Sequence, residues 1–210
     1  MPNRRHCVPL PEDFEIASMA TVDTSKKQMI MEAAAKLFRD RGYSATSMRD
    51  LAKAVHLQAS SLYNHINSKQ EILKEICFHN ARHFLAGIEQ IIQEQQDPAE
   101  QLKALILLHL RVATSDATSI TSFNDEWRHL DQPELDQFIN LRKRYEAHFR
   151  NIIDQGIAAG HFRKVDPNIV MYTILSSLRW VYDWYRPERA DSIEQIGEEI
   201  VALVLNGLQH

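Results

Sequence analysis

Cysteine, glycine and proline are all scarce in this chain: two, six and seven among 210 residues. Cys7 lies in a proline-bearing N-terminal stretch and Cys77 in a helical one, which is no basis for a disulfide framework, so a reducing cytoplasm is the expected setting. So few glycines and prolines, without a succession of β-branched runs, exclude a sandwich or barrel punctuated by tight turns and predict long helices with short connections. Long apolar runs are missing as well. The strongest, LKALILLHL over Leu102 to Leu110, carries Lys103 and His109 and falls short of the roughly 18 residues that cross a bilayer, so no membrane partner is expected. At the start, MPNRRHCVPLPEDFE sets prolines and three acids where a secretory signal needs an apolar centre. Residues 1–22 are expected to form a flexible arm, with Met19 as an alternative start. There is no internal repeat, phosphate loop, nucleophile elbow or metal-ligand cluster, which argues against an enzyme and implies no cofactor.

What is present is enough apolar side chain, 44%, to fill a core, and an uneven charge. The chain carries a formal net charge of -4, yet Val22 to Arg82 holds ten Lys and Arg against six Asp and Glu, a net +4. His83 to His210 holds twelve against nineteen, a net -7. An acidic protein thus contains one basic module, the footprint of a segment that meets phosphates.

The apolar spacing predicts about nine helices. The first runs from about Ser25 to Arg41, with Ile30, Ala33, Ala34, Leu37 and Phe38 on one face and Gly42 as its stop. The second starts at Ser47, where Asp50 completes a capping box, and ends before His56, a residue that tolerates the positive φ of a tight turn. The third covers about Gln58 to Ile66, anchored by Leu57, Leu62 and Ile66 and otherwise polar. Ser68 and Glu71 form a second capping box that launches a long rod ending near Gln96. Asp97-Pro98 and Asp166-Pro167 are cap-proline starts of two further helices, the first reaching about Thr114 and the second about Pro187. Helices over about Ile120 to Leu130, Pro133 to Ala159 and Ser192 to Asn206 complete an all-α fold.

Two short helices joined by a tight turn, the second anchored on one side and polar on the other, make a helix-turn-helix over residues 47–66. Small side chains at Ala59, Ser60 and Ser61 let the second helix approach a major groove, and Asn64 has the donor and acceptor for adenine. Ser47, Arg49, Tyr63, His65 and Lys69 are the further candidates for contact with double-stranded DNA, Lys69 together with the amides that open the fourth helix. A polar connector between packed helices is the plainer reading, but it needs neither two capping boxes nor a basic surround.

Gly42-Tyr43, the run Thr46-Ser47-Met48-Arg49-Asp50-Leu51-Ala52, and Leu62-Tyr63-Asn64-His65-Ile66 followed by Ser68-Lys69 resemble the TetR family of transcriptional regulators. The chain departs from that pattern in His56-Leu57-Gln58, where the family has Gly-Val-Ser, and in Ile66, where it has phenylalanine. The first change removes an N-cap from the third helix. The resemblance implies phosphate contacts at Tyr63 and Lys69, a DNA-binding domain over residues 23–82, and a helical domain over residues 83–210 that dimerises and holds a small-molecule effector. A two-fold homodimer implies a palindromic operator.

In the second half, Ile169, Tyr172, Ile174, Leu178 and Val181 with Ile196, Ile200, Leu203 and Val204 give two apolar faces suited to a four-helix dimer interface. Asn124 to Arg128, Arg144-Tyr145-Glu146 and Trp180 to Pro187 are similar to the branch of the family that responds to acyl-coenzyme A thioesters. That similarity implies effector contacts from Asn124, Trp127, Arg128, Arg144, Tyr145, Arg179, Trp180 and Trp184, with rings around the acyl chain and arginines at phosphates. Trp180 and Trp184, four apart, equally suit the core or a dimer seam. A regulator sensing drugs and an enzyme using the C-terminal pocket are the alternative functions. His79 and His83 have chelating spacing without an assignable third ligand, so no metal is expected.

Overall fold

The computed structural model describes residues 22–115, 117–185 and 192–208. Residues 1–21 of the expected arm, with Cys7 and Met19, and the expected helix end at Pro187 lie outside the described residues. Every regular element among the described residues is helical: α1 Val22–Arg41, α2 Met48–Ala54, α3 Ala59–Leu62, α4 Lys69–Glu94, α5 Pro98–Ser115, α6 Ala117–Glu126, a 3-10 turn Trp127–His129, α7 Glu134–Ala158, α8 Pro167–Trp184 and α9 Ile193–Leu208.

The local signals act as their chemistry requires. Gly42 and Gly160 end α1 and α7 at φ 85° and 74°, and His56 makes the turn between α2 and α3 at φ 54°. Ser47 caps α2 with a reciprocal box to Asp50, whose carboxyl is held below its usual range by the hydrogen bonds from Ser47. At α4 the box is shifted by one residue: Ser68 accepts from the Glu71 amide, but the Glu71 carboxylate takes the amide of Asn67 at 2.9 Å. Asp166 accepts from the Asn168 and Ile169 amides, with Pro167 at the first helical position.

Several boundaries differ from expectation: α6 occupies Ala117–Glu126 rather than about Ile120 to Leu130, with the 3-10 turn Trp127–His129 after it. α1 already begins at Val22, inside the expected arm. α3 stops at Leu62 rather than Ile66, because the amides of Asn64 and His65 bond three residues back, to Ser61 and Leu62, in tight turns. Gln58 precedes α3 without a side-chain cap, so a four-residue helix depends on Leu62, which is fully buried.

One core joins Ile30, Ala34 and Phe38 of α1 to Leu51, Leu62, Ile66, Ile72 and Leu73, and it takes in Leu130 and Phe138 from the second half. A second core is built by Ile88, Leu102, Leu105, Ile106, Phe149, Ile152, Met171 and Val201. α4 passes from one core to the other without a break, so the 82/83 boundary falls inside a continuous helix. Gly197 admits α9 closely against α5: a Cβ there would stand 2.7 Å from a Leu107 methyl carbon.

Candidate nucleic-acid interface and the cavity behind it

On the reading head, Arg49, Ser60, Tyr63 and Asn64 are exposed, and Ala59, Ser61 and His65 are half-buried. The 51% exposure of Tyr63 is large for a ring that directly follows a fully buried leucine. Alternation along one turn explains both: Leu62 enters the core to which α1, α2 and α4 also contribute, while Ser60, Tyr63 and Asn64 are exposed. Ser47 is exposed, and its hydroxyl and amide are both engaged with Asp50.

Lys69, expected as part of a phosphate clamp, is engaged within the chain. Its ammonium donates to the carbonyl oxygens of Tyr43 at 2.7 Å and Thr46 at 2.8 Å and lies 4.0 Å above the centre of the Tyr43 ring. Burial pulls its pKa below the ordinary lysine range, opposed by the Glu126 carboxylate. The group pins the α1–α2 loop to the start of α4.

Around that pin the two halves of the chain meet. Tyr43 is buried, with Phe38 packed edge-on at 5.2 Å and His129 stacked at 5.3 Å, and desolvation pushes its phenol up to about 12. The His129 carbonyl accepts from Gln70 Nε2 at 2.6 Å, and Ser122 Oγ of α6 donates to the Ala35 carbonyl at 2.9 Å inside the core. The elements that touch α1, Tyr43 and Gln70 therefore also form a wall of the next feature.

Behind the joint lies a cavity of about 270 Å³ between α4, α5, α6, α7 and α8. Its buried side is Ala81, Phe84, His109 and Phe138, with Phe123 and Leu141 beside them. His109 Nε2 meets Tyr145 Oη at 2.5 Å and stacks on Phe84 at 4.5 Å; burial lowers its pKa to about 4, so the imidazole is neutral. At the rim, the guanidinium groups of Arg128 and Arg142 lie 4.5 and 4.8 Å from the Trp127 ring centre, and Arg142 also pairs with Glu146 at 3.7 Å. Arg179 is bound to Asp125.

Of the eight expected effector residues, Asn124, Trp127, Arg128, Tyr145 and Arg179 line this cavity. Arg144 does not: it reaches Glu89 at 3.1 Å. Trp180 and Trp184 do not either, and with exposures of 67% and 51% they belong to no core of the single chain. Helical periodicity explains this placement, since Met171, Ile174, Leu178 and Val181 form the inward stripe of α8 and the tryptophans fall outside it. Ile169 is outward too, 67% exposed, and Tyr172, 50% exposed, borders the cavity mouth, while Ile174, Leu178 and Val181 are inward core. Phe84, His109, Phe123, Phe138, Arg142 and Tyr172 were not among the expected contacts; their signal in the sequence is that of ordinary core and surface helix positions.

Among the described residues no group of three or more metal-ligating side chains gathers, and His79 and His83 lie with ring centres 6.5 Å apart. No described helix is long and apolar enough to cross a membrane.

Residues 30–76 match the family model described as bacterial regulatory proteins, tetR family, and residues 95–208 match the tetracyclin repressor-like C-terminal domain. The HTH-type transcriptional repressor KstR2 of Mycolicibacterium smegmatis is 29% identical over 187 residues, covering 88% of this chain and 91% of that protein. The structure of the ketosteroid transcriptional regulator KstR2 of Mycobacterium tuberculosis superposes with a TM-score of 0.83 at 27% identity, over 88% of this chain and 95% of that one. The structure of AibR in complex with isovaleryl coenzyme A and operator DNA superposes with a TM-score of 0.74 at 26% identity, over 85% and 97%.

Proposed function

We propose that this chain, which belongs to the TetR family of bacterial regulatory proteins, is a homodimeric repressor released from a palindromic operator by a small hydrophobic effector. Membership makes it a DNA-binding transcriptional regulator, and its relatives are regulators rather than enzymes. The repressor sign, the effector class, the contact residues and a cytoplasmic setting are our reading.

The observation that carries the effector reading is the cavity: an aromatic interior with three arginines, Arg128, Arg142 and Arg179, at its rim. Rings enclose an apolar group, and guanidiniums at the mouth bind an anionic head bearing phosphates. An acyl-coenzyme A thioester has both parts, and a structural relative was solved with isovaleryl coenzyme A.

Dimerisation rests on the outward faces of α8 and α9. Ile169, Trp180 and Leu203 are 67%, 67% and 75% exposed in the single chain, more large apolar surface than solvent exposure favours, and a two-fold copy covers it. The two reading heads then address half-sites about one helical turn apart. Asn64 and Ser61 read base edges, while Tyr63, Ser60 and Arg49 hold the backbone. An effector that prefers the conformation with the wrong head spacing weakens operator binding by its differential affinity. The route is short, because Trp127 and Arg128 line the cavity and His129, the next residue, stacks on Tyr43 and is held by Gln70 at the start of α4.

The test is fluorescence anisotropy of the purified protein on DNA from upstream of its own gene, with competitor DNA at moderate salt, titrated with an acyl-coenzyme A series and with cationic drugs. Sequence-selective binding reversed by a thioester is expected. Release by the drugs alone would discard the acyl-coenzyme A reading, and binding without sequence preference would discard the operator reading.

A further inference from the structure

We infer that the His109–Tyr145 pair on the inner wall of the cavity selects an effector whose buried carbon skeleton carries an uncharged oxygen, a hydroxyl or a ketone, remote from its polar head. The inference rests on the reading of this cavity as the effector site.

The cavity is polarised. Its cations, Arg128, Arg142 and Arg179, stand at the rim, where the side chains of Arg142 and Arg179 are 40% and 57% exposed. No lysine or arginine lines the buried side, where Ala81, Phe84 and Phe138 surround the imidazole. Into that apolar wall α5 projects His109, in a stretch whose other inward residues are Leu102, Leu105, Ile106 and Leu110. Leucine or phenylalanine at 109 would fill the same space without desolvating a polar group. Replacing both members of a hydrogen-bonded pair of this kind by apolar groups can be nearly neutral or stabilising, so stability alone does not require histidine and tyrosine here. An unsubstituted alkyl chain gains nothing from them.

The chemistry of the pair defines what does gain. The imidazole is uncharged, as its burial dictates, and Glu146, the carboxylate among the lining residues, is paired with Arg142 at 3.7 Å, so the His109–Tyr145 wall itself presents neither a cation for a carboxylate nor an anion for an amine. A phenol and a neutral imidazole hold between them a donor and an acceptor, and the tautomer can adapt, so an oxygen of either kind can join or insert into their 2.5 Å contact. Phe84 stacks flat on the imidazole and Tyr145 meets Phe84 edge-on at 6.2 Å, which fixes the direction in which the polar atoms face. Sites that hydrogen-bond a ligand oxygen discriminate against its absence far more strongly than apolar pockets discriminate against size.

The experiment uses the full-length protein and its tryptophan fluorescence, to which Trp127 of the cavity contributes, with calorimetry as a second readout. The probes are decanoyl-coenzyme A and its mid-chain hydroxy and keto counterparts, and the same three skeletons as methyl esters without coenzyme A. The wild type is expected to bind the oxygenated members about 10- to 100-fold more tightly. Tyr145→Phe is expected to bring that preference below about threefold, the oxygenated members weakening far more than the decanoyl compound. His109→Leu repeats the test from the other partner should the first variant misfold, and the preference of the wild type is itself decisive. Equal binding of all three skeletons by the wild type, or a preference that survives both substitutions, overturns the inference. Thioesters bound irrespective of the oxygen leave the acyl-coenzyme A reading intact and remove this one. Oxygenated esters bound with a Tyr145-dependent preference, while no thioester binds, do the reverse.

Discussion

The imidazole of His129 lies face to face with the phenol ring of Tyr43, ring centres 5.3 Å apart and planes at 21°. One residue closes the turn whose Trp127 and Arg128 line the cavity, and the other sits in the loop that leads into α2, pinned by Lys69. Stacked rings of this kind contribute about 0.5–1.5 kcal/mol beyond their burial. A double-mutant cycle with Tyr43→Leu and His129→Ala, followed by chemical denaturation, is expected to give a coupling energy in that range. In operator titrations His129→Ala should keep operator affinity within about threefold while raising the effector concentration needed for release. An unchanged effector response would break the proposed route.

On the reading head, Asn64→Ala and Tyr63→Phe should separate base reading from backbone holding. The first is expected to lose about 1–3 kcal/mol and to relax selectivity at one operator position. The second should weaken binding evenly across operator variants. Anisotropy with a set of singly substituted operators distinguishes the two patterns.

Lys69→Met tests whether the ammonium is an internal pin. Loss of two hydrogen bonds from a charged, half-exposed group to the Tyr43 and Thr46 carbonyls should lower unfolding free energy by about 1–3 kcal/mol. A phosphate contact predicts otherwise: unchanged thermal stability and a salt dependence of operator binding reduced by about one unit of slope.

Trp180→Arg on the outward face of α8 should convert the dimer to monomer in sedimentation without unfolding it, since the side chain is 67% exposed in the single chain. Binding to the full palindrome should collapse at the same time, as the two heads lose their linkage. A variant that stays dimeric would place the interface elsewhere.

His109 gives a pH dependence with a definite sign. Its folded pKa is lowered by burial to about 4, against about 6.5 in the unfolded chain, so below pH 6.5 the unfolded state binds the extra proton. The stability tied to neutral His109 is complete above pH 6.5 and is lost as pH falls from there towards 4, on the order of 3 kcal/mol in all. In His109→Gln this part of the acid loss should vanish. Paired denaturation curves at pH 7.5 and 5 would show a smaller difference in the variant.

Much of the molecule was legible before any coordinates, and the reason is range. The caps at Ser47, Ser68 and Asp166, the stops at Gly42 and Gly160, and the turn at His56 depend on groups within about four residues, which is the reach of helix-end hydrogen bonding. The anchors Leu62 and Ile66 declared themselves by spacing, and the neighbouring Tyr63 and Asn64 were left outward by the same geometry. The difference at α3 is also local: past Leu62 the amides of Asn64 and His65 close on carbonyls three residues back, so the α-helix gives way to tight turns.

What the sequence determined by itself, then, is the helix inventory, the reading head and the basic character of its module. Tertiary structure alone decided what the second half does with its aromatics. Phe84, His109, Phe123 and Phe138 come from four helices, and only packing sets them around one cavity rather than in a filled core. Trp180 and Trp184 resembled ligand contacts in sequence, but α5 and α7 chose the opposite stripe of α8 for the core and left both indoles outside. Lys69 found its partners 26 and 23 residues back in the chain, at Tyr43 and Thr46. A lysine's reach into its own fold depends on which loop is folded over it, and no local pattern encodes that.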